Sequence, residues 1–473
     1  MASTIELPLW LVVMATALAA IGLVDRLLVP GVRWMLRGRV NLIIDELNQH
    51  LKLRIQPFKL TRRQSLVDRL IHDQELIKAA HAHALNVGEP QAVTMARVQG
   101  YAREIVPNFN AYAYFKIGAK AARWLSTLLY RVRLGYADDE ALGKINPDSA
   151  VIFVMNHRSN MDYVLVTYMA SASSALSYAV GEWARVWLLQ NMIKAMGAYF
   201  IRRDSGDPLY RKVLARYVQL STAEGVTQAM FPEGGLSRDG RLRPARLGLL
   251  SYLVANFDAG AERDIVFVPV GLNYDRVLED RNLTAGIERE AGGKSRKIRG
   301  WGFLRYLGKA LRLVSSGRWY RNGYACVSFG TPVSLREWTS HSKIDFRKLN
   351  DAQRFASVGE LGADLMAAVA RVVPVLPVCL IATLFRQAPD EALSEIEIKA
   401  RAGALMERLR SSGVHIHLPR GDMDYAVGAG LRMLTLRHLV LEADGLYRAN
   451  PDEKVLIAYY ANAIAHHIEQ QKP

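Results

Sequence analysis

Hydrophobic and polar positions divide the 473-residue chain into four stretches. In the first, residues 1–39, the run Leu7 to Val24 holds 18 residues without a charge. As a helix it would extend about 27 Å, marginally enough to cross a bilayer core. Residues 40–146 read mostly as helices; within them Ala111 to Arg133 interleaves aromatic and basic positions. That pattern suits either a helix lying on a bilayer or a core helix whose Lys and Arg reach out to water. From Pro147 to residue 338, short β-branched runs alternate with helices, which predicts an α/β core with a mainly parallel sheet. Its expected strands are Val151–Met155, Val226–Phe231 and Ile265–Leu272. Residues 339–473 return to helices, among them the apolar run Val372–Phe385, whose 14 residues and two prolines make it too short to span a membrane.

Two helices of the core carry local signals. Asp207 can cap one, with Pro208 in its first turn, Leu209, Val213, Leu214 and Tyr217 at helical spacing, and Gly225 just past its end. A second should bury Leu247, Leu250, Leu253 and Phe257.

Charge adds a partner class. The net charge of +16 fits work against polyanions: nucleic acid, anionic headgroups or small phosphorylated substrates. Lys294 to Arg321 carries nine Lys or Arg and no acidic residue, with five aromatic residues among them. Arg26, Arg33, Arg37 and Arg39 follow the first apolar run while only Glu6 precedes it, which orients the bulk of the chain to the cytoplasmic side. With no basic region before the run and no small-residue cleavage site after it, an uncleaved anchor is expected rather than a signal peptide. Half of the residues are hydrophobic, which excludes a disordered chain. Cys326 and Cys379, in apolar surroundings, read as buried reduced thiols. No Cys/His spacing forms a zinc site, and His415/His417 and His466/His467 read as ordinary residues rather than ligands.

The chemistry-bearing segments leave strands. In NHRSNMD, His157 and Asp162 follow the run Val151–Met155. Five positions along an ideal helix separate side chains by about 140°, so the pair meets only if His157 precedes the helix and Asp162 sits in its first turn. In that geometry the carboxylate fixes the imidazole tautomer and the other ring nitrogen serves as a base. The second segment, FPEGGLSR, also leaves a strand, and open α/β sheets gather ligands at such exits. There Gly234 and Gly235 allow close backbone approach, Ser237 and Arg238 suit a phosphate, and Glu233 orients the loop or a substrate hydroxyl. GAYFIRRD adds Arg202 and Arg203 as phosphate or carrier contacts, or as members of structural ion pairs.

Together NHRSNMDYVLV, GAYFIRR, FPEGGLSRDGRL and VPVGLNYDRV resemble, in order and spacing, the motifs of membrane-bound bacterial glycerol-3-phosphate acyltransferases, and the resemblance runs on to YYANAIAH (Tyr459 to His466). It implies an acyltransferase core over 147–338, flanked by helical regions and an N-terminal membrane helix. It implies His157 and Asp162 as the catalytic pair; Arg202, Arg203, Glu233, Gly234, Ser237 and Arg238 as glycerol 3-phosphate contacts; and Arg158, Ser159 and Pro269 as supporting residues. The acyl donor would be acyl-CoA or acyl-carrier protein, with no metal or prosthetic group. The implied partners include anionic membrane lipids, at the cytoplasmic side of a bacterial inner membrane. Longer relatives carry a large extra N-terminal domain. The alternatives are acylation of 1-acylglycerol 3-phosphate or of dihydroxyacetone phosphate, and, from another class, a basic membrane- or nucleic-acid-binding protein with a decayed site.

Overall fold

The computed structural model describes residues 56–111, 113–170, 176–180, 194, 196–202, 205–290 and 322–469. The run Leu7–Val24, Arg203 and the basic stretch Lys294–Arg321 lie outside them. Among the described residues no helix is long and apolar enough to cross a membrane.

Helices α1 (Arg63–Ile71), α2 (Gln74–Val87), α3 (Gln91–Ile105) and α4 (Ala119–Leu129) come first, as the periodicity predicts. The chain then forms β1 (Arg131–Ala137), β2 (Ala150–Met155), α5 (Met161–Ala170), β3 (Ser177–Val180) and β4 (Tyr199–Phe200). After these come α6 (Pro208–Ala223), β5 (Gln228–Met230), α7 (Leu247–Val254), β6 (Ile265–Tyr274) and α8 (Asp280–Glu290). Strands β7 (Tyr324–Phe329) and β8 (Val333–Ser334) complete the main sheet.

The strand order is β1-β7-β6-β2-β5-β3-β4, with β8 beside β6. From β6 to β4 every neighbour is parallel, as expected. β7 runs antiparallel to β6, however, and β1 runs parallel to β7, so the sheet is mixed. Strand periodicity does not encode direction, so the β-branched runs alone could not foretell the reversal. β1 itself falls in a stretch read as helical, because its alternating Arg131, Val132, Arg133 and Leu134 continue the basic, aromatic pattern of α4.

β2 and β6 are buried along their whole length, which their Val and Ile content favours. Pro269 sits inside β6, where a missing N–H would ordinarily cost a ladder bond. It is tolerated because β6 pairs with β8 at Val266 and Phe267 and with β7 only from Val270 onward. Pro269 lies between these two pairings and accepts from Gly330 N–H through its carbonyl. Its place is within the strand, paired with Val154 of β2.

The sequence signals of α6 are realised in detail. Asp207 accepts from the amides of Leu209 and Tyr210 at 2.8 and 3.2 Å, Pro208 opens the helix, and Gly225 follows at φ 72°.

Beyond β8, α9 (Asp351–Val372) packs on β6, and α10 (Pro377–Gln387) is buried from Pro377 to Phe385. The apolar run Val372–Phe385 is thus protein core. α11 (Glu395–Ser411), α12 (Met423–Leu436) and α13 (Lys454–Asn462) surround α10. This region, expected to be helical, also holds a small antiparallel sheet of β9 (Leu393–Ser394), β10 (Val440–Ala443) and β11 (Leu446–Ala449). Its hairpin turns on Asp444 and Gly445, both at positive φ, the Asp-Gly signature of a tight turn.

Candidate active site

At the end of β2, Asn156 replaces a backbone ladder step with its side chain: Nδ2 donates to Leu272 O at 2.9 Å, and Oδ1 accepts from Leu272 N–H at 2.7 Å. The backbone is thereby free to turn, and His157 heads the turn. α5 begins four residues later, with Asp162 in its first turn, where the helix N-terminus favours negative charge. Asp162 folds back onto the preceding turn. Its Oδ2 accepts from His157 Nδ1–H at 2.9 Å, Arg158 N–H at 2.7 Å and Ser159 N–H at 3.0 Å; its Oδ1 accepts from the Tyr274 hydroxyl at 2.6 Å. The strand, turn and helix geometry expected for this pair is present.

Because Oδ2 already faces two amide donors, it must also accept from the ring. Nδ1 then carries the hydrogen and Nε2 the lone pair. Nε2 is buried and has no hydrogen-bond partner. The ring is 1% exposed, stacked on Phe231 at 4.1 Å between centroids with Tyr163 edge-on at 5.5 Å. Burial, then the Asp162 charge, pushes the Tyr274 hydroxyl well up, so it stays a donor.

The second loop is tied to this turn through His157's own backbone. Ser237 N–H donates to His157 O at 3.0 Å, and His157 N–H donates to Glu233 Oε1 at 3.2 Å. Burial pushes Glu233 up to about 8, opposed by the His157 amide and by Arg158. Its Oε2 is buried without a partner. Gly234 takes φ 68° in the turn, against the stem of Arg246. The Ser237 hydroxyl is committed inside the loop: it donates toward Asp239 Oδ1 and Arg241 O and accepts from Gly240 N–H. These bonds shape the loop. Arg238 is exposed.

Arg158 is 3% exposed. Its Nη1 donates to Gly240 O at 2.5 Å, its guanidinium lies over the Tyr459 ring at 5.1 Å, and its Nε and Nη2 have no partner. Ser159 Oγ donates to Glu279 Oε2 at 2.8 Å and Asn160 N–H to Glu279 Oε1 at 3.3 Å, pinning the turn from α8's approach. Burial raises Glu279 above its ordinary range.

Arg202 stands apart. It follows β4, three strand positions from β2 along the same edge, about 14 Å at ordinary spacing. Its guanidinium is held bidentately by Glu104 of α3, at 2.9 and 2.6 Å. The structural ion pair weighed for this segment is what forms.

The C-terminal region closes the site from outside. Gly240, at φ 87°, lies so near α13 that a Cβ would stand 1.9 Å from Tyr459 O. Asn462 donates to Asp239 O at 2.8 Å, and Arg241 pairs bidentately with Glu469. His466 and His467 reach the carbonyls of Ala370 and Val373, structural uses in accord with the sequence. Both cysteines are buried thiols, pushed up to about 12 by burial. Among the described residues no His, Cys, Asp and Glu group could hold a metal ion. The sequence reading gave no role to Tyr274, Glu279, Phe231 or Tyr459. Tyr274 lies inside the quoted VPVGLNYDRV and Glu279 two residues beyond it, while Phe231 and Tyr459 open FPEGGLSRDGRL and YYANAIAH, and that placement was the available signal.

Two family models match the chain: one described as acyltransferase over residues 138–273, the other as glycerol-3-phosphate acyltransferase C-terminal region over residues 301–470. A glycerol-3-phosphate acyltransferase of Aeromonas hydrophila is 26% identical over 418 residues, 86% of this chain and 50% of the relative. One of Shewanella woodyi is 27% identical over 427 residues, with the same coverage. One of Pseudomonas putida W619 is 28% identical over 433 residues, 88% of this chain and 50% of the relative. The chain thus spans about half the length of the curated relatives it matches. A solved 1-acyl-sn-glycerophosphate acyltransferase from Thermotoga maritima matches with TM-score 0.28 and 17% identity, covering 54% of this chain and 77% of that one. An acyltransferase match that takes in β2 to β6, followed by a glycerol-3-phosphate acyltransferase C-terminal match over residues 301–470, bears out the resemblance to the glycerol-3-phosphate acyltransferases.

Proposed function

We propose that this chain transfers a fatty acyl group from an acyl-CoA or acyl-carrier-protein thioester to the sn-1 hydroxyl of glycerol 3-phosphate, the first step of phospholipid synthesis. The observation that carries the reading is the His157–Asp162 pair: a carboxylate held by three other donors fixes the imidazole, and Nε2 is left as a buried base. The relatives' names supply the acceptor.

In the step so drawn, His157 Nε2 takes the hydroxyl proton as the oxygen bonds to the thioester carbonyl. Asp162 stabilises the imidazolium. The tetrahedral intermediate collapses, the C–S bond breaks, and the departing thiolate receives the proton from Nε2. The products are lysophosphatidic acid and the free thiol, and the balance requires no metal or prosthetic group. Glu233 Oε2 carries a proton below about pH 8 and donates to a substrate oxygen. Arg158, with Nε and Nη2 unpaired, supplies buried positive charge beside it. Arg203 and Arg238 remain candidates for the phosphate.

The reading extends to the cytoplasmic face of a bacterial inner membrane. Its supports are the Leu7–Val24 run and the surface of α4 with the turn before it, where Ile117 and Trp124 are 58% and 52% exposed beside exposed Lys116, Lys120 and Arg123. Flotation with phosphatidylglycerol vesicles that weakens with salt is the expected behaviour.

The test is acyl transfer from palmitoyl-CoA to labelled glycerol 3-phosphate by lipid-reconstituted protein, with 1-acylglycerol 3-phosphate and dihydroxyacetone phosphate as rival acceptors. Glycerol 3-phosphate should be used best, and His157→Ala should lose at least ~10²-fold in turnover while remaining folded. Product from a rival acceptor alone would overturn the acceptor. Near wild-type turnover in His157→Ala would overturn the base.

A further inference from the structure

A second cluster lies on the same edge of the sheet. Because β7 and β1 run opposite to β6, their amino ends sit beside the carboxyl ends of β6 and β2. There Arg131 and Arg133 of β1, Tyr324 of β7, and His417, Pro419, Arg420 and Tyr425 at the start of α12 line a cleft of about 240 Å³. β1 is three strand positions from β2, about 14 Å at ordinary spacing.

The hydrogen bonds and ring contacts of the three arginines are all to neutral groups, and the one carboxyl that Arg131 influences, buried Asp275, is reached by its charge rather than by an ion pair. Arg131 donates to the hydroxyls of Tyr425 at 3.1 Å and Tyr324 at 3.5 Å. Arg133 donates to Val132 O and lies over the Tyr324 ring. Arg420 lies 4.3 Å over the Tyr425 ring. No carboxylate among the described residues pairs with any of them, whereas Arg69, Arg202, Arg241, Arg281, Arg347, Arg401 and Arg437 are each paired with an Asp or Glu. Arg420 also takes φ 62°, a backbone state that a non-glycine residue adopts at a cost and that clusters at ligand sites. His417 adds a buried Nε2 without a partner.

Three guanidinium groups without an ion-paired carboxylate, in a concave, aromatic-walled cleft, suit a phosphate-bearing ligand with a planar ring. An acidic protein surface would call for a broad convex basic face instead. We propose that this cleft receives the phosphates of the nucleotide end of the acyl donor, a coenzyme A thioester, while its pantetheine arm runs along the sheet edge to His157. The proposal rests on the acyl-transfer reading, and it adds a donor site to it.

The test uses the full chain and two variants, Arg131→Gln/Arg133→Gln and Arg420→Gln, none of which alters the His157 machinery. Binding of unacylated coenzyme A is measured by calorimetry, and KM for palmitoyl-CoA and for glycerol 3-phosphate by steady-state turnover. The Kd for coenzyme A and the KM for palmitoyl-CoA should rise about tenfold per arginine removed, with kcat and the KM for glycerol 3-phosphate within about twofold of wild type. Unchanged coenzyme A affinity in both variants, or no affinity in the wild type, overturns the proposal. So does a loss confined to phosphatidylglycerol vesicles, to inorganic phosphate, or to a carrier-protein donor. Loss of coenzyme A affinity in the variants upholds the cleft even if the wild type transfers no acyl group, so the two readings fail separately.

Discussion

Asp162→Asn isolates the charge of the orienting carboxylate from its shape. An asparagine oxygen facing Arg158 N–H, Ser159 N–H and His157 Nδ1–H keeps all three donors satisfied, and its amide then donates to Tyr274, whose hydroxyl switches to accepting. The reverse orientation would set an NH₂ against two backbone donors, so the imidazole tautomer is retained. Folding should therefore cost only about 1–3 kcal/mol, the difference between charged and neutral acceptors. Asp162→Ala would leave several buried donors unpaired, at about 1–3 kcal/mol each. What Asn removes is attraction for the imidazolium that forms during the reaction. Unit charges about 4 Å apart at an effective dielectric of about 20 interact by about 4 kcal/mol. Turnover should then fall by about 10³-fold, with KM for glycerol 3-phosphate little changed. The assay is kcat for palmitoyl transfer, with nitrogen NMR of His157 to verify that Nδ1 keeps its hydrogen. Turnover within tenfold of wild type, with the tautomer intact, would refute the reasoning.

Glu233 ties stability to pH. Its folded value of about 8 lies above the ordinary 4.5, so between these pH values the folded state holds the extra proton. The group's contribution is full below about pH 4.5 and is lost as pH rises through 8, up to about 5 kcal/mol in all. In urea unfolding, Glu233→Gln should remove this slope from pH 5 to 9 while its oxygen still accepts from His157 N–H; equal slopes in the two proteins would sink the assignment. Gly240→Ala places a Cβ against the Tyr459 carbonyl at φ 87° and should lower the melting temperature sharply and abolish turnover. Gly248→Ala, with nothing within 4 Å and inside α7, should be neutral or gain about 0.5–1 kcal/mol. Glu279→Ala releases Ser159 and Asn160 and should reduce kcat more than KM, by at least about tenfold, since one charge-assisted and one weaker bond are lost; an unchanged kcat would mean the turn holds itself.

Features specified by neighbouring residues were legible in the sequence. Asp207, Pro208 and Gly225 bound α6 because caps and turns depend on a few adjacent backbone groups. His157 and Asp162 could be placed as strand exit and first helical turn because five positions leave one geometry in which they meet. The β-branched runs of β2 and β6 declared buried strands. Long-range pairing decided the rest. The reversal of β7 and β1, which brings Arg131 to the active edge, depends on strand direction, which periodicity does not carry. Arg202 was equally fit for a phosphate or an ion pair until the fold set Glu104, 98 residues away, against it. Tyr274 on Asp162, and Tyr459 against Gly240 and Arg158, join residues more than a hundred positions apart. Local sequence determined which groups could do chemistry here; only the closure of the sheet and the packing of α13 onto its edge decided which of them meet, because a contact between distant residues is a property of the whole packed chain.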